Sequence, residues 1–173
     1  MRIIVAPLHE VDAALARWRP SHVVSLASPG AETATVAEPV ANLRLTFHDI
    51  AEERPGLSPP VASDVARLLA FAGAWAEQGT APLLVQCWAG VSRSTAAAYV
   101  VACALEGEGR EADVARRLRE AAPFATPNPL IVALADAQLG REGRMVEAVA
   151  AIGRGAETSM GRMFVLAVEP LSR

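Results

Sequence analysis

An almost wholly apolar segment, residues 94–106, constrains the fold of this chain more than any other part of the sequence. Within it, the run from Ala96 to Leu105 is ten residues long, which is too short to span a bilayer. A helix over this segment has no polar face before Glu106, so we predict that it lies at the centre of the protein. The 173 residues suffice to bury such a core, and we expect a single domain over residues 1–173.

Short apolar strands alternate with helices over the first two thirds of the sequence. We predict strands at residues 3–5 (the first strand or an edge strand), 22–26, 43–47 and 82–86. We predict helices at residues 8–18, 60–78, 94–106, 110–121, 129–139 and 142–152. This order is typical of an α/β protein with a central, mostly parallel sheet of about four to five strands flanked by helices. Ligands bind at the carboxyl ends of the strands in such sheets, which directs attention to the segment after residues 82–86.

Pro and Gly residues mark the ends of two predicted helices. Ser58 before Pro59 predicts an N-cap followed by Pro in the first turn, and Gly79 predicts the end of the same helix. Val61 is expected on the buried side of this helix, by its spacing from the apolar residues that follow. Asn128, which also precedes a Pro, predicts a second N-cap.

Composition excludes several classes of function. The formal net charge of −3 disfavours a nucleic-acid-binding protein. The chain has no Lys, so no Lys can form a Schiff base or hold a phosphate. Two Cys exclude a disulfide framework, and a zinc site would need its other ligands among only three His, His9, His22 and His48, so we expect no metal and no cofactor. The N-terminus does not resemble a signal peptide, and we expect a cytoplasmic protein that does not bind membranes.

The segment from Cys87 to Ser94 combines a nucleophile with the features of an anion site. Cys87 leaves a predicted strand, five residues follow, and Arg93 then precedes the apolar helix. The N–H groups and dipole of a helix N-terminus favour a bound anion and the thiolate form of a nearby Cys. Arg93 offers a planar fork for two phosphate oxygens, and Gly90 permits a backbone conformation that side chains forbid. The hydroxyl of Ser94 can donate to the sulfur of Cys87.

This segment resembles the signature of the cysteine-dependent protein tyrosine and dual-specificity phosphatases. That signature is His-Cys, five residues, Arg, and then Ser or Thr, with Gly three residues after the Cys. The chain matches it at Cys87, Gly90, Arg93 and Ser94, and it has Gln86 in place of the usual His. We therefore predict a phosphate-binding loop made of Trp88, Ala89, Gly90, Val91, Ser92 and Arg93.

The resemblance extends beyond the loop. Residues 43–49 are similar to the strand and loop that carry the family's general acid, and residues 122–139 are similar to its Pro-Asn helix start. The resemblance covers residues 1 to about 140 and implies a dual-specificity-phosphatase-like fold. The helix and tail at residues 141–173 lie outside it.

The resemblance implies hydrolysis of phosphorylated proteins or other phosphomonoesters through a phosphocysteine on Cys87. Arg93 would bind the phosphate. One carboxylate can act as both general acid and general base. Among the five Asp, Asp49 alone follows a predicted strand and opens a loop, so we assign it this role, with Glu52 and Glu53 as alternatives.

Other interpretations remain open. Gln86 favours a pseudophosphatase that binds phosphate or phosphoproteins with little turnover. Rhodanese-like sulfurtransferases and arsenate-reductase-like proteins also place a Cys loop before a helix. In a purely structural interpretation, Cys87 is a core thiol and Arg93 a surface cation. The apolar side chains of the loop favour an aryl phosphate such as phosphotyrosine, while phosphoserine and phosphothreonine stay possible.

Overall fold

A computed structural model describes residues 1–79 and 81–171. Its strands are β1 (Arg2–Pro7), β2 (His22–Ala27), β3 (Ala41–Thr46), β4 (Leu83–Cys87) and β5 (Phe164–Ala167). Its helices are α1 (Val11–Trp18), α2 (Ala62–Gln78), α3 (Arg93–Glu106), α4 (Glu111–Ala121), α5 (Pro129–Gln138) and α6 (Arg144–Ala151), and a 3-10 turn at Leu8–Glu10 precedes α1. Among the described residues, no helix is both long enough and apolar enough to cross a bilayer.

The strands form one sheet in the order β3-β2-β4-β1-β5. The first four are parallel, and β5 runs antiparallel to β1. The predicted mostly parallel sheet is confirmed. The edge-strand alternative for residues 3–5 is wrong, because the tail folds back as β5 and covers the side of β1 that would otherwise be open. β3 lies at an edge, and its residues alternate between more and less exposed positions.

Helices cover the two faces of the sheet unequally. On one face, α1 packs over a small cluster that includes Ile4, Val23 and Leu84. On the other face lies the main core, which takes in residues of α2 to α6. As predicted, α3 is central, with nearly every residue buried. Cys103 on this helix is a free thiol whose pKa is raised to about 12 by burial, which favours a packing role for it.

The predicted start of α2 is wrong. The helix begins at Ala62 rather than at residue 60 after a Ser58 cap, and the N–H of Val61 donates to the Asp64 carboxylate at 3.0 Å. Ser58 is not available as a cap because its backbone pairs with His48. Val61 is 49% exposed, not buried, since it precedes the helix instead of facing the core.

Candidate active site

Cys87 is the last residue of β4, and its side chain lies at the centre of the loop that follows. Because β4 runs between β1 and β2, its carboxyl end opens in the middle of the sheet. The Sγ atom of Cys87 lies 3.1 Å from Ser94 Oγ and accepts a hydrogen bond from the Gly90 N–H at 3.3 Å. The loop therefore wraps around the sulfur, with the start of α3 on its far side.

Gly90 allows this wrapping. Its φ of +69° lies in the left-handed region, and a Cβ added there would meet the backbone N of Pro7 at 2.8 Å. Pro7 ends β1 and stands in register with Cys87. A side chain at position 90 would thus be strained by its own backbone and would collide with the neighbouring strand.

The loop's carbonyls are bonded to its surroundings, which leaves its N–H groups for a ligand. The carbonyls of Trp88, Ala89, Val91 and Ser92 accept from the N–H groups of Leu8, Gly161, Thr126 and Asn128 respectively. By contrast, the N–H groups of Ala89, Val91 and Ser92 have no acceptor among the described residues. Backbone N–H groups without an acceptor in a tight loop are able to bind an anion. The bracing segments hold this site in shape before any ligand arrives.

Arg93 is the first residue of α3 and is only 6% exposed. One of its terminal nitrogens, Nη1, donates to the Phe47 carbonyl and to Ser28 Oγ, both at 3.1 Å. The guanidinium is thus held on one side by the segments just after β2 and β3, while its Nε remains without a hydrogen-bond partner among the described residues.

Asp49 lies beside this cradle. Its Oδ1 accepts from Ser92 Oγ at 2.7 Å and from Asn128 Nδ2 at 2.8 Å, and its Oδ2 is 3.8 Å from Arg93 Nε. The structure thus brings Asp49, Ser92 and Arg93 together. Glu52 and Glu53 are exposed further along the same loop and make no hydrogen bond to the phosphate loop among the described residues.

Two contributors to the site were not predicted from the sequence. Asn128 was predicted only as an N-cap, and its Oδ1 does accept from the N–H groups of Leu130 and Ile131. Its amide nitrogen also holds Asp49, a contact across 79 residues that local patterns cannot show. Ser28 could have been suspected from its place just after a strand next to β4.

Gln86 is buried, and its Nε2 has no partner among the described residues. It borders a cavity of about 180 Å³ that is also lined by Ser28, Trp88 and Arg93. Trp88 is 60% exposed at the rim. A larger depression of about 600 Å³ lies over residues 53–61, away from Cys87, so cavity size alone does not indicate the reactive centre.

The fold is similar to that of solved dual-specificity phosphatases. Human DUSP28 is 21% identical, with a TM-score of 0.59 over 86% of this chain and 94% of its own. DUSP15 is 17% identical, with a TM-score of 0.56 over 90% of this chain and 94% of its own. A mouse protein described as a dual-specificity phosphatase, complexed with zinc tungstate, is 20% identical with a TM-score of 0.56, over 85% of this chain and 86% of its own.

No protein-family model and no curated protein sequence matches the chain. The likeness is therefore one of structure: the protein has the fold of dual-specificity phosphatases, and its sequence is only 17–21% identical to those named above.

Proposed function

We propose that this protein is a dual-specificity-type phosphatase that hydrolyses phosphomonoesters through a phosphocysteine on Cys87. The observation that carries the proposal is the convergence of three groups from distant parts of the chain. The Cys87 sulfur, the Arg93 guanidinium and the Asp49 carboxylate meet around one set of unpaired loop N–H groups. These groups provide a nucleophile, a phosphate ligand and a proton carrier, which phosphoryl transfer to a thiolate requires.

In the first step, the loop N–H groups and Arg93 bind the phosphate oxygens. The Cys87 thiolate attacks phosphorus, a P–S bond forms, and the bond from phosphorus to the ester oxygen breaks. Asp49, protonated at this stage, gives its proton to the departing oxygen, so an alcohol or phenol leaves. The negative charge on the phosphoryl oxygens is met by donors already in place, which stabilises the transition state.

In the second step, water attacks the phosphocysteine. Asp49, now a carboxylate, takes a proton from that water as the P–S bond breaks, and inorganic phosphate is released. The sulfur leaves as a thiolate. Ser94 Oγ, 3.1 Å away, is placed to donate a hydrogen bond to it and make it a better leaving group.

Phosphorylated proteins are the proposed substrates. The exposed Trp88 ring at the rim can pack against an aryl group, which favours phosphotyrosine. A thiol nucleophile works only while reduced, and both Cys are free, so we place this activity in the cytoplasm.

A binding protein without turnover is the second candidate, and Gln86 is the observation that favours it. A buried amide with an unpaired nitrogen stands where the phosphatase signature has His. Such a protein would hold phosphate on the same loop N–H groups and Arg93. Binding and turnover therefore have to be measured separately.

The test uses para-nitrophenyl phosphate in the presence of EDTA, with tungstate binding measured in parallel. We expect turnover by the wild type and by Cys103→Ala, which removes the other thiol. We expect Cys87→Ser to bind tungstate but to lose turnover by well over about tenfold, as nucleophile losses usually do. Tungstate binding without turnover by the wild type would favour the binding protein. Turnover that depends on a divalent ion would contradict the proposed mechanism.

A further inference from the structure

The loop that carries Asp49 is closed by two hydrogen bonds between His48 and Ser58. The His48 N–H donates to the Ser58 carbonyl at 2.7 Å, and the Ser58 N–H donates to Nδ1 of the His48 ring at 2.9 Å. Residues 51–58 are all exposed, and one backbone hydrogen bond, from Leu57 to Arg54, links residues within them in the described structure. With so few other contacts, the His48–Ser58 pair holds much of the loop's shape.

The direction of the bond to the ring fixes the state of His48. A backbone N–H can only donate, so Nδ1 must carry a lone pair, and the ring is the neutral form with its hydrogen on Nε2. An imidazolium carries hydrogen on both nitrogens. A second proton on His48 would therefore set two N–H groups against each other and break the bond from Ser58.

His48 immediately precedes Asp49, so a change at one is felt at the other. Asp49 Oδ1 accepts hydrogen bonds from Ser92 Oγ at 2.7 Å and from Asn128 Nδ2 at 2.8 Å, and both depend on where the loop holds the carboxylate. We propose that His48 is a positioning residue: its neutral ring fixes the loop so that Asp49 faces the phosphate loop, and its protonation releases that loop. The inference rests on the proposed function, because it concerns proton transfer by Asp49.

Other charges do not substitute for this contact. The charged side chains on β3, on the loop that follows it and in the first two turns of α2 and α3 are Arg44, Asp49, Glu52, Glu53, Arg54, Asp64, Arg67 and Arg93. Among the described residues, none of them forms an ion pair or hydrogen bond with the His48 ring. Asp64 instead accepts from the Val61 N–H, and Asp49 is engaged by Ser92 and Asn128. The Ser58 N–H is thus the hydrogen-bond partner through which a charge change on the ring acts.

Two substitutions separate positioning from packing. In His48→Asn an amide oxygen can take the place of Nδ1, so it can accept from the Ser58 N–H but cannot titrate. In His48→Ala the acceptor is lost at every pH. We would measure kcat and KM between pH 8 and pH 5, the range in which imidazole gains its proton. Phenyl phosphate, whose leaving group needs a proton, is compared with para-nitrophenyl phosphate, whose leaving group does not.

At pH 8 we expect the same kcat for the wild type and His48→Asn on phenyl phosphate. From pH 8 to pH 5 the ratio of the wild-type kcat to the His48→Asn kcat should fall about tenfold, a part of the roughly 10²–10⁴-fold that a placed general acid supplies; protonation of Asp49 itself affects both proteins alike. His48→Ala should be slow on phenyl phosphate throughout. KM should change little, because Arg93 and the loop N–H groups are untouched. With para-nitrophenyl phosphate, the differences in kcat among the wild type and the two variants should be smaller than with phenyl phosphate.

Superimposable pH profiles for the wild type and His48→Asn, or a wild-type kcat in His48→Ala, would overturn the inference. NMR relaxation of residues 51–57 tests it without turnover. These residues should become mobile toward pH 5 in the wild type but not in His48→Asn, and equal mobility in both would also overturn it. If no form of the protein turns over phosphate esters, the proposed function fails, yet the relaxation data still decide whether His48 holds the loop.

Discussion

At the scale of single residues, Gly90 sets the shape of the phosphate loop. Its backbone is left-handed, and the backbone of Pro7 fills the space that a side chain would need. The loop can therefore turn the Gly90 N–H toward the Cys87 sulfur only because position 90 has no Cβ.

Gly90→Ala should reduce both stability and activity. An L-residue in the left-handed region costs about 1–2 kcal/mol, and the contact with Pro7 adds to this cost. Gly153→Ala is the matched control, since Gly153 has a φ of +67° but nothing within 4 Å of the added Cβ. Urea unfolding should show a larger loss of unfolding free energy for Gly90→Ala than for Gly153→Ala. Equal losses would mean that the close approach to Pro7 is unimportant.

Asp49 is the second residue whose role can be isolated. In Asp49→Ala the cost should depend on the leaving group, because only a poor one needs a proton. Phosphotyrosine turnover should fall by about 10²-fold or more, and para-nitrophenyl phosphate should suffer less. Asp12→Ala, at an exposed position on α1, should leave both rates unchanged. Equal losses on the two substrates would remove Asp49 from the acid role and direct attention to Glu52 and Glu53.

At the scale of elements, the start of α5 is shared by the fold and the site. The Asn128 oxygen caps the first turn of α5, while its nitrogen holds the loop of Asp49 through both the carboxylate and the Ile50 carbonyl. The same side chain therefore joins a helix terminus to the proposed acid.

Two substitutions at position 128 should separate these roles. Asn128→Asp keeps the oxygen that caps α5 but sets a second carboxylate oxygen against Asp49 in place of the donor, so it should retain the stability that comes from the cap and lose activity on poor leaving groups. Asn128→Ala loses both, and it should also lose about 0.5–2 kcal/mol of stability through the cap. Thermal unfolding and turnover of phenyl phosphate give the two readouts. Full activity in Asn128→Asp would show that Asp49 does not depend on this contact.

At the scale of the whole molecule, the strand order places the proposed chemistry in the middle of the sheet. β4 has β2 on one side and β1 on the other, and β3 and β5 are the two edge strands. The reactive loop thus grows from a strand that is buried at every residue. A rigid, buried scaffold suits a site whose donors must be in place before the substrate binds.

Stability should fall on mild acidification because of His22. It is buried in β2 against Phe71, with ring centroids 5.1 Å apart, and burial lowers its pKa. Above the unfolded-state pKa of about 6.5 both states are neutral, and below it the unfolded state takes up a proton that the folded state resists. Urea unfolding should therefore show a decline in unfolding free energy below about pH 6.5. His22→Leu should flatten this decline, whereas His9→Gln at an exposed site should not, and an unchanged slope in His22→Leu would contradict the assignment.

The sequence predicted most of what hydrophobic periodicity encodes: the central α3, the mostly parallel sheet and the strand before the reactive loop, which was predicted over residues 82–86 and spans Leu83–Cys87. It did not predict β5, a four-residue strand formed only because β1 offers an open side. It misplaced the start of α2 because Ser58 pairs with His48 instead of capping the helix. One of the two acceptors of Arg93 Nη1 is the carbonyl of Phe47, and a backbone acceptor leaves no signature in a sequence.

The most direct test of the phosphocysteine mechanism is to trap the covalent intermediate. The wild type would be mixed with an aryl phosphate, quenched rapidly, digested and analysed by mass spectrometry. We predict one phosphoryl group on the peptide that contains Cys87, a higher occupancy in Asp49→Ala if hydrolysis of the intermediate becomes rate-limiting, and none in Cys87→Ser. Turnover without any phosphorylated Cys87, or with the phosphoryl group on another residue, would contradict the phosphocysteine mechanism.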